Sequence, residues 1–174
     1  PYQPAGLWEE AGTGKSYQPD QGEGLYRRSL YTFWRRTVGP TNMFDAANRQ
    51  TCRVRLSTTS TPLHALTTLN DPTWVEAARL LAERVSGEAP ELDRRLELAF
   101  RRVACRAPSA TDLAVLQRAY GRQLARFQQS REQAEAFLKV GASPRNAQLD
   151  AAESAALTAV CLAILNLDES LTRE

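Results

Sequence analysis

The sequence predicts a mainly α-helical fold, in which an irregular N-terminal segment packs on a multi-helix bundle with a buried C-terminal helix. Three observations carry this expectation. Residues 1 to 24 hold five of the nine glycines and three of the nine prolines and show little apolar periodicity. From Thr61 onward apolar residues recur three and four apart, and cap residues precede the runs. Near the end, Ala155 to Leu167 is apolar on all sides, the pattern of a helix in the middle of a bundle. We therefore separate a Gly/Pro- and aromatic-rich segment, residues 1–60, from a helical bundle, residues 61–174.

In the first segment, Tyr26 to Thr37 reads two ways. Tyr26, Leu30, Phe33 and Thr37 fit one helical face, whereas Leu30-Tyr31-Thr32-Phe33-Trp34 has high strand propensity. Gly39-Pro40 ends either element. The segment's many aromatic side chains need grooves to fill, and we expect Trp8 and Trp34 to anchor it on the helices.

Thr61-Pro62 and Asp71-Pro72 each read as an N-cap followed by proline in the first turn, where the missing N–H costs nothing. The helix after Asp71 shows Trp74, Ala77, Ala78, Leu81 and Val85 on one face and ends near Gly87. The next carries Leu92, Leu96, Ala99, Phe100 and Val103, with Glu97 and Arg101 paired four apart. Ser109 and Asp112 form a capping box for a helix whose stripe is Leu113, Leu116, Tyr120, Leu124 and Phe127. A short helix around Ala134 to Leu138 stops at Gly141, Ser143-Pro144 marks a loop, and the final helix runs from Ala151 to about Asp168.

Composition excludes several classes of function. A chain of 174 residues, 43% apolar and 24% charged, can bury a core like any globular domain. A net charge of +2 with both signs interspersed is too balanced to imply a nucleic-acid or membrane-surface role on charge alone. The longest apolar run falls short of the roughly 20 residues a membrane span needs, so no transmembrane segment is expected. Cys52, Cys105 and Cys161 have no CxxC spacing, so neither a zinc site nor covalent haem attachment has a signature here, and no metal or cofactor is expected in this chain. The chain opens at Pro1-Tyr2-Gln3-Pro4 without an initiator methionine, and we expect its N-terminus to continue upstream.

Gly12-Thr13-Gly14-Lys15-Ser16 mimics the end of a phosphate-binding loop. The glycine required five positions before Gly14 is Glu9, and neither a strand nor a helix frames the turn, so no nucleotide is expected. Arg27, Arg28, Arg35 and Arg36 flank aromatic residues and read as a solvated face. His64 is the one histidine and lies a turn into a helix, where capping or core-edge packing explains it better than catalysis. The most suggestive block runs from Phe44-Asp45-Ala46 to Asn70, where Asp45, Arg49, Arg55, Thr61, His64 and Asn70 are the candidate binding residues. Polar groups set among helices either satisfy loops and helix ends or line a pocket. No catalytic residue is nominated, because no acid/base pair or nucleophile with its base is present.

Tyr26-Arg27-Arg28-Ser29-Leu30-Tyr31-Thr32-Phe33-Trp34, Phe44-Asp45-Ala46, Cys52, Thr61-Pro62-Leu63-His64-Ala65-Leu66, Leu69-Asn70-Asp71 and Leu165-Asn166-Leu167-Asp168-Glu169 together resemble a known family. It is the planctomycete-specific C-terminal domain of unknown function found with planctomycete cytochrome-c-like domains. Pro1-Tyr2-Gln3-Pro4, Gly6-Leu7-Trp8 and Val140-Gly141 fit the same pattern. The resemblance implies that the chain is the second half of that domain, its two parts together being the C-terminal part of one larger domain. It further implies a periplasmic or secreted location, upstream domains of the parent protein as partners, and in many members a haem on an upstream cytochrome-like domain. Thr58 and Ser60 depart from the Arg and Asn usual in the family, and His64 stands where glutamine is common. The function expected is an accessory or scaffolding domain linked to c-type haem electron transfer. The alternative is part of an enzyme acting on extracellular polysaccharide, with Asp45 and the Arg49/Arg55 pair in its pocket and a second carboxylate supplied from upstream.

Overall fold

Among the described helices Ala151–Leu165 is the most apolar, and five others are packed on it. The computed structural model describes residues 6, 9, 14, 16–27, 31 and 62–171. Seven helices occur among them: α1 (Pro62–Asn70), α2 (Pro72–Glu88), α3 (Leu92–Ala104), α4 (Ala110–Gln129), α5 (Arg131–Leu138), α6 (Ala151–Leu165) and α7 (Asp168–Leu171). No strand occurs among the described residues. The chain forms two units, Pro1–His64 and Ala65–Glu174. The described part of the first contains a 3-10 turn, Gly22–Tyr26, whose Tyr26 is exposed. Trp8, Trp34, Lys15 and the strand-or-helix stretch 32–37 lie outside the described residues.

In the second unit α6 packs against α2, α3, α4 and α5. Ala155, Ala156, Leu157, Val160, Cys161 and Ile164 are all buried, as the apolar run predicts. Each such Leu or Ile contributes about 1.5–3 kcal/mol on leaving water. The one polar interruption in the middle of the run is neutralised locally, because the Thr158 hydroxyl donates to the Ser154 carbonyl at 2.7 Å. Asp150 caps the helix, its Oδ1 accepting from the N–H groups of Ala152 (2.9 Å) and Glu153 (3.0 Å).

Two apolar clusters meet along α6. Its C-terminal half packs with Val75, Ala78, Ala82 and Val85 of α2 and Leu96, Ala99 and Phe100 of α3. Its N-terminal half packs with Phe127, Ala134 and Leu138, beside which Phe127 and Phe137 stack with ring centroids 5.8 Å apart. The expected caps are present: Asp71 accepts from Thr73 N–H at 2.8 Å, and Ser109 and Asp112 form a reciprocal capping box.

Two local readings differ from the structure. On α2 the buried face is Val75, Glu76, Ala78, Arg79, Ala82 and Val85, while Ala77 is exposed. The face is rotated because two charged residues belong to it. The last helix stops at Leu165, with Asn166 and Leu167 turning the chain into α7. The Asn166 side-chain oxygen accepts a hydrogen bond from the buried Thr68 hydroxyl, which fastens α1 to the end of α6.

Candidate functional site

Of the residues nominated from sequence, Asp45, Arg49, Arg55 and Thr61 lie outside the described residues. The His64 backbone is in the first turn of α1, and its side chain is outside the described set. Asn70 ends α1, and its Nδ2 donates to the Leu66 carbonyl at 2.7 Å. The bond folds the Asn70 side chain back onto the last turn of its own helix.

The most highly connected polar group in the described unit was not nominated. Glu76, Arg79 and Glu83 stand on α2 at spacings of three and four, so they share one side of the helix. Arg79 is 0% exposed. Its Nη2 donates to the Ser143 carbonyl at 2.8 Å and the Ser143 hydroxyl at 2.7 Å. Its Nη1 donates to Glu83 Oε1 at 3.0 Å and to the Pro144 carbonyl at 3.3 Å. The two carboxylates receive the same loop from its N–H side. Glu76 accepts from Ala142 N–H (3.1 Å) and Ser143 N–H (2.7 Å), and Glu83 accepts from Asn146 N–H (3.1 Å).

The loop makes room for this through Gly141, whose φ is +103°. A Cβ there would stand 2.7 Å from the Glu76 side chain. Buried charges are tolerated when paired and hydrogen-bonded, and here three side chains fix the loop between α5 and α6 by complementary contacts. The arrangement is a clasp for the chain's own backbone. A sequence signal for it existed: charges at 76, 79 and 83 interleaved with Val75, Ala78 and Ala82, followed by a Gly-then-Ser-Pro loop.

A second polar junction lies at the other end of the bundle. The Arg106 guanidinium takes both Glu169 carboxylate oxygens at 2.8 Å, reaches Asp112 at 3.1 Å, and lies 4.7 Å from the Phe100 ring centroid. It ties the ends of α3 and α7 to the start of α4. The backbone N–H of Ser109, and after it Arg106, hold the Asp112 carboxyl below the ordinary carboxylate range.

A third feature is open to solvent. Val115, Arg118, Gly121 and Arg122 line a hollow of about 460 Å³ on α4. Among the described residues no group of three or more His, Cys, Asp or Glu side chains is placed to hold a metal ion. No described helix is long and apolar enough to cross a membrane.

Residues 1–120 match the model of PSD1, a family described as protein of unknown function (DUF1553). No curated protein and no solved structure gives a significant match. The matched stretch includes α1 to α3 and ends inside α4.

Proposed function

The chain belongs to the PSD1 family of proteins of unknown function, and we propose that it serves as an accessory, scaffolding domain at the C-terminal end of a multidomain extracytoplasmic protein. The observation that carries the reading is the clasp. The largest buried polar constellation of the helical unit, Glu76, Arg79 and Glu83, makes its bonds to the chain's own 142–146 loop. Side chains committed to holding the chain's own loop support the reading of a stiff platform. The extracytoplasmic setting and a link to c-type haem electron transfer through an upstream domain are supported by the residue blocks from Tyr26 to Trp34 and from Thr61 to Asp71.

The test uses the intact parent polypeptide and a version lacking residues 1–174. Haem content is read from the reduced-minus-oxidised absorption spectrum, and stability from thermal unfolding. The scaffolding reading expects a haem spectrum in both, with a lower unfolding temperature for the shortened protein. A parent without haem would remove the electron-transfer link. Polysaccharide cleavage by the parent that disappears with Asp45→Asn would replace scaffolding by the glycan-enzyme reading.

A further inference from the structure

Among the described residues Arg79, Arg94, Arg101, Arg102, Arg106 and Arg131 form ion pairs, whereas the three arginines of α4 do not. In α3, Arg94 and Arg101 pair with Glu97, Arg102 pairs with Glu88, and Arg95 donates to the Ala89 carbonyl. On α5, Arg131 is beside Glu135. Arg118, Arg122 and Arg126 of α4 are exposed and have no ion pair among the described residues; Arg118 Nε donates to the Ala114 carbonyl at 3.3 Å and the Arg126 guanidinium lies 5.9 Å from the Phe127 ring centroid. From Leu113 to Gln129 the helix contains no carboxylate at all. The three cations follow one another four residues apart, about 6 Å per step along the axis, and so form a row.

The ground beside the row is apolar and low. Val115 is 46% exposed, and Gly121 has nothing within 4 Å of where a Cβ would be. Glycine in an exposed helix interior is destabilising relative to alanine, and the space where a Cβ would stand at Gly121 is open. With Val115, Arg118 and Arg122 it shapes the hollow of about 460 Å³.

We propose that this face of α4 docks an acidic α-helix of another protein. A partner helix with carboxylates four apart repeats at the spacing of the arginine row, and the guanidinium fork suits carboxylate better than any other side chain does. Gly121 lets the partner's backbone come close, and Val115 gives the contact an apolar foothold. An anionic polysaccharide fits this face less well, since among the described residues no aromatic ring is exposed on it to stack against a sugar: Tyr120 is half-buried and Phe127 buried.

The experiment titrates the 174-residue chain into a fluorescent helical peptide with glutamates four apart, and into the same peptide with glutamines in their place. The reading expects saturable binding of the glutamate peptide alone, weakening by about tenfold with Arg118→Glu/Arg122→Glu/Arg126→Glu and in high salt. Gly121→Leu, which fills the hollow without changing charge, should weaken binding severalfold. Circular dichroism of both variants should match that of the parent sequence, because the substituted positions are exposed. No saturable binding would overturn the proposal, as would equal binding of the two peptides. Heparin binding that the charge reversal abolishes, with no binding of the glutamate peptide, would assign the face to a polyanionic sugar instead. An unchanged affinity in Gly121→Leu would overturn the docking geometry.

Discussion

Arg79 holds Ser143, 64 positions further along the chain, by the backbone carbonyl and the hydroxyl together. One nitrogen thus positions a whole turn of the loop that leads into the central helix. Arg79→Met removes the cation that both Glu76 and Glu83 pair with, Glu76 being buried and Glu83 partly so. Breaking a buried pair in this way costs about 3–5 kcal/mol. Chemical denaturation of the variant should show a loss of that size. Adding Glu76→Gln should recover part of it, because one of the stranded charges is removed.

Gly141→Ala attacks the same clasp from the other side. The backbone there has φ +103°, and the new Cβ would stand 2.7 Å from Glu76. A strained dihedral alone costs about 1–3 kcal/mol, and here Glu76 must also shift away from the Ala142 and Ser143 N–H groups. Thermal unfolding should register a drop of at least this size, whereas Gly87→Ala, with open space around it in α2, should raise stability slightly. Equal effects at the two glycines would contradict the geometry.

The helix caps give the molecule an acid-sensitive component. The backbone N–H of Glu153 is the main cause holding the Asp150 carboxyl below its ordinary 3.8, with Ala152 contributing after it. Asp112 is lowered by the Ser109 N–H and then by Arg106. Both folded-state values lie below the unfolded ones, so the unfolded chain binds more protons at low pH. The stability these groups add is present above pH 3.8 and fades as pH falls through the lowered folded values. Asp150→Asn retains an acceptor for the cap and should flatten this acid limb in a plot of unfolding temperature against pH. Asp150→Ala should lose about 1 kcal/mol at neutral pH as well.

The cysteines should separate by reactivity. Burial pushes the Cys161 thiol up to about 12, and the residue is 0% exposed. Cys105 is exposed at the end of α3. In a Cys52→Ser background, a thiol reagent should modify one site in the native protein and a second only after denaturation. Modification of Cys161 without unfolding would mean that α6 is not at the centre of the bundle.

Much of the bundle was legible because caps and apolar periods are local signals. Asp71, Ser109 and Asp112 act as their spacing predicts, and the absence of a polar side from Ala155 to Leu165 places α6 correctly. The face of α2 was misjudged for a physical reason. Glu76 and Arg79 look like solvent residues until a distant loop supplies N–H and carbonyl partners, and those partners are 60 or more positions away. The overrun at the end of α6 has a similar origin, since Asn166 is recruited by Thr68, 98 positions earlier. Of the candidate binding residues only the Asn70 side chain is described, and its Nδ2 donates to the Leu66 carbonyl one turn back.

During synthesis, α2 to α5 leave the ribosome before α6 does, yet the wall against which they pack is α6 itself. Until Leu165 has cleared the exit tunnel, the apolar sides of Val85, Phe100, Leu116 and Phe127 can close only on one another's helices and lack the surface that α6 supplies. At 5–20 residues per second the wait from Ala104 to Leu165 is on the order of several seconds. Over that interval the nascent chain is a client for a chaperone that shields apolar helices, and a stalled or prematurely terminated product would be a target for proteolysis.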